Sequence, residues 1–350
     1  MKIIYDDIIY SLQKAGGISE LWSNVSTQPE KAFHLIYDNA KDNISFKINS
    51  KHLYHYLNSK RLFFKRYLNI KLKEESPFIF HSSYYRFAKD KRAINVTTVH
   101  DFMYEIYRKD FKSYLHKWQK KRAIIHSDGI ICISENTKKD LLHYCPSTKG
   151  KIIVIYNGFD DKEYYFENVP REKTIVYVGG RTGYKRFNIA IKIAKRMHDY
   201  QLIIVGGGDL TKNEIYMLKD VNYKKIGYAS IGDLRDIYNR SFALLYTSEY
   251  EGFGITPIEA QACGCLVACQ NTSSLPEVVG NSACTIDPNN LDSTVSALKR
   301  YEDPTSYRLI QKKGFENCQR FSWTKCAKEY IDFYHELFTG LSRKDESSQT

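Results

Sequence analysis

No stretch of this 350-residue chain approaches the ~20 consecutive apolar residues that a membrane-crossing helix needs, which argues against an integral membrane protein. Nor does the opening MKIIYDDIIYSLQ read as an export leader, since it sets Asp6 and Asp7 inside its apolar run and shows no cleavage site. The eight cysteines form no regular framework, which suggests a reducing compartment. Cys263, Cys265 and Cys269 cluster, but their spacing, with no histidine nearby, makes a poor zinc site, and they read as small buried residues. Without export, the Asn-x-Ser/Thr matches at Asn24, Asn43, Asn95 and Asn271 carry no weight. Internal repeats and low-complexity tracts are absent too. With 43% hydrophobic and 26% charged residues, wholesale disorder is excluded, and the length suits about two domains.

Acidic residues are scarce in the first half. Residues 1–150 carry +11 of the formal net charge of +12. Much of the excess lies in 51–73, where Lys60, Arg61, Lys65 and Arg66 alternate with Leu, Phe and Tyr. The pattern suits an amphipathic helix on an anionic membrane surface, where each cation contributes ~1 kcal/mol. A solvated helix with an apolar core face and a nucleic-acid patch are the other readings, and no nucleic-acid motif supports the last.

Short apolar runs alternate with helix-like stretches. Predicted strands are Lys2–Tyr5, Phe33–Tyr37, Phe78–His81, Asn95–Val99, Gly129–Ile133 and Ile152–Tyr156, then Thr174–Val178, Gln201–Val205, Tyr223–Ile226, Phe242–Tyr246 and Leu266–Ala268. Such alternation predicts an α/β chain with two doubly wound parallel sheets, broken near the polar segment 157–173. In open α/β sheets ligands sit beyond the carboxyl ends of the strands, so the cleft between two such domains is the expected site.

Five segments carry candidate chemistry. In EYEGFGITPIEAQACGCLVACQNTSSLPE, Glu251 and Glu259 stand eight apart around Gly252 and Gly254. Thr256 as N-cap, Pro257 at the first helical position and Glu259 three residues on form a capping box, which would make Glu259 structural. Alternatively, the loop amides and helix N-terminus face an anion, with Glu251 bonding ligand hydroxyls. In YVGGRTGYKR, Arg181 and Lys185 follow a strand end, where cations either hold phosphate oxygens or simply decorate the surface. LIIVGGGD, with Gly206, Gly207 and Gly208, tempts a dinucleotide reading, but the third glycine of G-x-G-x-x-G is replaced by Thr211. In the first half, Gly16-Gly17 follows the first strand and His100-Asp101 follows a buried one, where a rim histidine and a catalytic one are both open.

Together these segments resemble glycosyltransferase family 4, retaining enzymes of the GT-B fold. EGFGITPIEAQACGCLV looks like the family's E-x7-E donor signature, and SSLPEV continues it. The order also matches: glycine loop, His-Asp, CISENTKKDL, IYNGFD, VGGRTGYKRF, LIIVGGGDL, IGYASIGDLRDIY, then E-x7-E. Thr256-Pro257 replaces the commoner Leu-Pro, and CGC replaces a single Cys or Ser before Gly. The resemblance implies domains at 1–165 (acceptor side) and 166–320 (nucleotide-sugar side) and a helix at 321–340 crossing back to the first; the last ten residues, LSRKDESSQT at 341–350, read as a loose tail. It implies that Arg181 and Lys185 bind the donor diphosphate and that Glu259 holds the ribose hydroxyls. Glu251 would approach the transferred sugar beside the amides of Phe253, Gly254 and Ile255. His100 would contact that sugar, Gly17 would bring amides towards the diphosphate, and Tyr228 would lie near the base.

The implied activity is transfer of a sugar from a nucleotide-diphosphate donor to a saccharide acceptor. No cofactor and no metal are expected, the cations substituting for a metal. A lipid-linked saccharide at the cytoplasmic face of a bacterial membrane is the expected acceptor, in surface polysaccharide or lipopolysaccharide synthesis. Non-catalytic binding of carbohydrate or a partner on the same fold is the alternative, with an NAD-dependent dehydrogenase behind it. Base, sugar and linkage are open, mannose from a guanosine donor being one candidate among several.

Overall fold

The computed structural model describes residues 1–27, 32–48, 53–58 and 60–347. The chain forms two compact units, Met1–Gly158 with the segment from Trp323 onward, and Phe159–Ser322. The first runs β1 (Lys2–Asp6), α1 (Ile9–Leu12), α2 (Gly17–Val25), β2 (Ala32–Tyr37), β3 (Leu53–Leu57), α3 (Leu62–Lys65), β4 (Phe78–Ser82), β5 (Ala93–Val99), α4 (Met103–Tyr107), α5 (Phe111–Ile125), β6 (Gly129–Cys132), α6 (Glu135–Tyr144) and β7 (Lys151–Val154). The second runs β8 (Thr174–Val178), α7 (Phe187–Arg196), β9 (Gln201–Val205), α8 (Lys212–Met217), β10 (Tyr223–Ile226), α9 (Ile231–Arg240), β11 (Ala243–Tyr246), α10 (Ile255–Ala262), β12 (Leu266–Gln270), α11 (Leu275–Val279), β13 (Cys284–Ile286), α12 (Leu291–Lys299) and α13 (Pro304–Cys318). The last helix, α14 (Trp323–Ser347), returns to the first unit.

Both sheets are parallel. Their orders are β3-β2-β1-β4-β5-β6-β7 and β10-β9-β8-β11-β12-β13. Strands such as FIFHS, GIIC and ALLY are buried along their whole length, as they must be when helices cover both faces. In each sheet the order reverses once, between β1 and β4 and between β8 and β11. Loops leaving the carboxyl ends at a reversal diverge to opposite faces and open a crevice there.

Two strands escaped the sequence pattern. β13 is only three residues long. β3 lies inside the basic stretch 51–73, which was expected to be one amphipathic helix. Instead Leu53–Leu57 pairs in parallel with β2, and only one turn, α3, follows. LYHYL reads as a strand because aromatic and apolar side chains suit a pleated surface. Lys51, His52 and Ser59 lie outside the described residues. The tail also differs from expectation, since helical backbone runs on to Ser347 and only 348–350 lie outside the described residues.

Helix α14 closes the core of the first unit with two buried tyrosines. Tyr334 Oη lies 2.7 Å from His81 Nδ1, and Tyr330 Oη lies 3.1 Å from Thr98 Oγ1. Thr98 Oγ1 in turn lies 3.1 Å from His81 Nε2, so the histidine is satisfied on both sides. Burial, with the nearby His100 adding, pushes the His81 pKa well down and keeps it neutral.

Among the described residues no helix is long and apolar enough to cross a membrane, and no cluster of His, Cys, Asp and Glu could hold a metal ion. Cys263, Cys265 and Cys269 are buried with free thiols, and burial pushes the Cys265 and Cys269 thiols up to about 12.

Candidate functional site

In the second unit the loops after β8 and β11, the two strands at the reversal, hold most of the candidate residues. They are stitched together by their backbones. Glu249 N–H donates to the Tyr184 carbonyl (2.8 Å), and Thr247 Oγ1 donates to the Lys185 carbonyl (2.8 Å). An Arg186–Glu249 ion pair (2.7 Å) clasps them from the side. The Lys185 ammonium is thereby carried to 2.5 Å from Glu251 Oε1. The same carboxylate is hydrogen-bonded to the buried Tyr246 hydroxyl. Burial first, and the Glu251 charge second, push the Tyr246 phenol well above its ordinary pKa, so it remains a donor.

The Glu251 loop is held from below by the segment that precedes α11. Glu251 N–H donates to Ser273 Oγ (3.0 Å), and the Ser274 hydroxyl is shared between the carbonyls of Glu251 (2.9 Å) and Phe253 (2.7 Å). The serines of SSLPEV therefore set the shape of the first glutamate's loop, a role that the sequence pattern did not reveal.

Helix α10 starts differently from expectation. Its N-cap is Gly254, in the left-handed region at φ +103°, and Ile255 is the first helical residue. A Cβ at Gly254 would meet Leu275 Cδ2 at 3.1 Å, so the turn needs glycine. Thr256 and Pro257 fall inside the first turn, where a missing N–H is tolerated. The capping box is not formed. Glu259 sits on the second turn, buried, beside Tyr238 and Tyr246. The Phe253–Ile255 segment lies at the positive end of the helix, where first-turn amides have no partner within the helix.

Arg181 occupies a different position from the one its place after a strand end predicts. Its side chain is 4% exposed. Nε donates to Glu214 Oε1 (2.9 Å), one terminal nitrogen to the Gly206 carbonyl (2.8 Å), and the other to those of Gly208 (3.1 Å) and Asp209 (2.7 Å). The guanidinium clamps the glycine loop after β9 instead of standing open to an anion. Gly206, Gly207 and Gly208 all have positive φ, and a Cβ on Gly207 would lie 2.4 Å from an Arg181 terminal nitrogen. Glu214 was not singled out from the sequence. Its signal was there as the T-x-x-E box, since Thr211 and Glu214 cap α8 reciprocally. Tyr228, after β10, is 83% exposed.

In the first unit, Gly17 and His100 leave the carboxyl edge of one sheet, after β1 and β5. Gly17 is the first residue of α2, and a Cβ there would meet nothing within 4 Å. His100 is buried, and burial pushes its pKa down to about 4, with Asp101 opposing and Lys120 adding. Its imidazole is neutral at physiological pH. Lys120, buried beside it, is satisfied by the Asp101 carbonyl (2.9 Å) and Glu105 Oε2 (2.7 Å).

Residues 161–316 match the family described as Glycosyl transferases group 1, and residues 33–163 match Glycosyltransferase Family 4. The chain belongs to the family-4 type of glycosyltransferases. As a member of that family it is 35% identical over 113 residues to the O-antigen chain mannosyltransferase B of Escherichia coli, a match covering 32% of this chain and 30% of that protein. It is 30% identical over 212 residues to the O-antigen chain mannosyltransferase RfbU of Salmonella typhimurium, covering 59% of this chain and 60% of that one. The matches thus span less than two thirds of these relatives' own length. The Anabaena protein Alr3699/HepE, solved in complex with UDP, superposes with a TM-score of 0.71 at 14% identity, over 96% of this chain and all of that one. This glycosyltransferase-family chain has the GT-B fold, two Rossmann-like units.

Proposed function

We propose that the chain transfers a hexose from a nucleotide-diphosphate donor to a saccharide acceptor in surface polysaccharide synthesis. The observation that carries this reading is the Lys185–Glu251 pair beside the N-terminal turn of α10 at the β8/β11 reversal. The names of the two relatives, both O-antigen mannosyltransferases, support it, and the UDP complex of the structural neighbour supports a nucleotide-sugar donor.

In the proposed reaction the bond between the anomeric carbon and the diphosphate oxygen breaks, and its electron pair leaves with the diphosphate. Negative charge grows on the phosphate and positive charge on the sugar ring. Lys185 and the amides at the Gly254 turn would neutralise the departing charge, supplying what a metal supplies elsewhere. To do so, Lys185 must exchange Glu251 for phosphate. The freed Glu251 would then take a sugar hydroxyl, and Glu259 the ribose hydroxyls. Arg181 would act on the donor chiefly by holding the glycine loop, with its charge already partnered by Glu214. A neutral His100 would hydrogen-bond the transferred sugar, and Gly17 would let α2's first amides approach the donor. Tyr228, exposed after β10, would cover the base.

The acceptor oxygen would bond to the anomeric carbon on the face the diphosphate leaves, and its proton would pass to a departing phosphate oxygen. This front-face course retains the anomeric configuration and needs no protein nucleophile. The proposed acceptor is a lipid-linked saccharide at the cytoplasmic face of the membrane. Donor-dependent product formation with a panel of nucleotide sugars tests the reading. Lys185→Ala and Glu259→Ala should each lower the rate strongly in folded protein, and unchanged rates would refute the site.

A further inference from the structure

Helix α5 is inverted relative to an ordinary surface helix. It buries Ser113, His116, Gln119 and Lys120 with Ala123 and Ile124. It exposes Phe111 (83%), Tyr114 (60%) and Trp118 (50%), with Ile125 further along. The steps 111, 114, 118 and 125 fall on one stripe at 3.6 residues per turn, so the outward face is aromatic by construction.

The stripe continues onto a second segment. Gln119 Nε2 donates to the Arg66 carbonyl (2.7 Å), and an Arg122 terminal nitrogen donates to that of Tyr67 (3.2 Å). These bonds seat the turn after α3 against α5, and Phe64 (68% exposed) and Leu68 (62%) join the face. Phe64, Leu68 and Trp118 line one apolar groove of about 930 Å³. Six large apolar side chains exposed along one face exceed what scattered surface residues show, and they mark a contact surface.

The charge around this face identifies the partner's chemistry. Segments 60–73 and 108–122 hold thirteen Lys and Arg and a single acidic residue, Asp110. Lys112, Lys121, Lys60 and Arg61 are exposed at its margins, and Arg122 stacks on Trp118 at 4.8 Å. Aromatic side chains at the level of lipid headgroups, ringed by cations, are what an anionic bilayer surface takes.

We infer that the α5 stripe with Phe64 and Leu68 is the surface by which this protein docks on an anionic lipid bilayer. The lipid-linked acceptor proposed above gives this docking its purpose, but the docking itself needs neither donor nor acceptor. The site differs from the amphipathic helix expected over 51–73, because most of the aromatic contact comes from α5.

Sedimentation with phosphatidylglycerol-containing vesicles, against pure phosphatidylcholine, tests it on the full chain. Preference for the anionic vesicles should fall at least about tenfold in Phe111→Ser/Tyr114→Ser and in Lys112→Glu/Lys121→Glu, and should weaken with salt. Those side chains point to solvent, so melting temperatures should match the parent. Trp118 emission should shift to the blue on vesicles, and the shift should vanish in Trp118→Phe. Equal binding to both vesicle types, or binding unchanged in the serine variant, would overturn the inference. So would a dimer in solution that the serine variant dissociates, which would give the face to a second copy. A negative donor assay beside positive vesicle binding would sink the catalytic reading alone.

Discussion

Lys185 Nζ and Glu251 Oε1 stand 2.5 Å apart at the sheet reversal of the second unit. The cation proposed for the donor is held in place by the carboxylate proposed for its sugar. Donor binding as proposed would therefore exchange one ion pair for another.

Removing the lysine should weaken the leaving-group contact most. Lys185→Ala is expected to lower kcat/KM by about 100-fold or more, as loss of one charge-stabilising donor does. Glu251→Gln frees the ammonium, so it should tighten binding of a bare nucleoside diphosphate while slowing transfer. Calorimetric titration with nucleoside diphosphates and a rate assay check both. Weaker diphosphate binding in Glu251→Gln would contradict the exchange.

Glu214 acts through Arg181. Glu214→Ala leaves a guanidinium of 4% exposure without its carboxylate and should cost about 2 kcal/mol in urea unfolding. Because it loosens the loop at Gly206–Gly208, the donor KM should rise more than kcat falls, and Glu214→Gln should restore part of it. A purely structural role would leave KM unchanged.

Gly207→Ala places a methyl 2.4 Å from an Arg181 nitrogen and 2.8 Å from the Gly179 carbonyl, at φ +72°. The expected loss is about 1–3 kcal/mol of stability, with donor affinity lost alongside. A melting temperature equal to the parent's would show that the loop is looser than described.

His100 gives a pH signature. Its folded pKa of about 4 lies below the ordinary value near 6.5, so between these the unfolded chain binds more protons. Stability from keeping it neutral is present above pH ~6.5 and is lost as pH falls towards 4. His81 and His116, both lowered chiefly by burial, push the same way. Between pH 7 and pH 5, His100→Asn should lose about 2 kcal/mol less than the parent in urea unfolding. Identical pH slopes would contradict a buried neutral His100.

Most strands were legible because burial on both faces leaves local apolar runs, as in FIFHS and ALLY. The two segments proposed for the donor stood out because each concentrates its chemistry locally, glycines with glutamates over 249–259 and glycines with cations over 179–186. The partners were harder to read. Arg181 finds Glu214 thirty-three residues on and Lys185 finds Glu251 sixty-six on, and neither choice has a local period. The start of α10 was misread because its N-cap is a left-handed glycine, and Thr256 has no cap bond to make.

The amino-acid order alone determined two parallel sheets, the loops that leave their carboxyl ends and the chemical types carried there. These depend on periodicity and on residues within one strand-loop-helix unit. Only the tertiary structure decided which cation is clamped, which is paired with a glutamate, and that α5 turns its aromatic side outward. Those outcomes depend on where separate loops and helices meet, and meeting is settled by packing of the whole unit, not by any one segment.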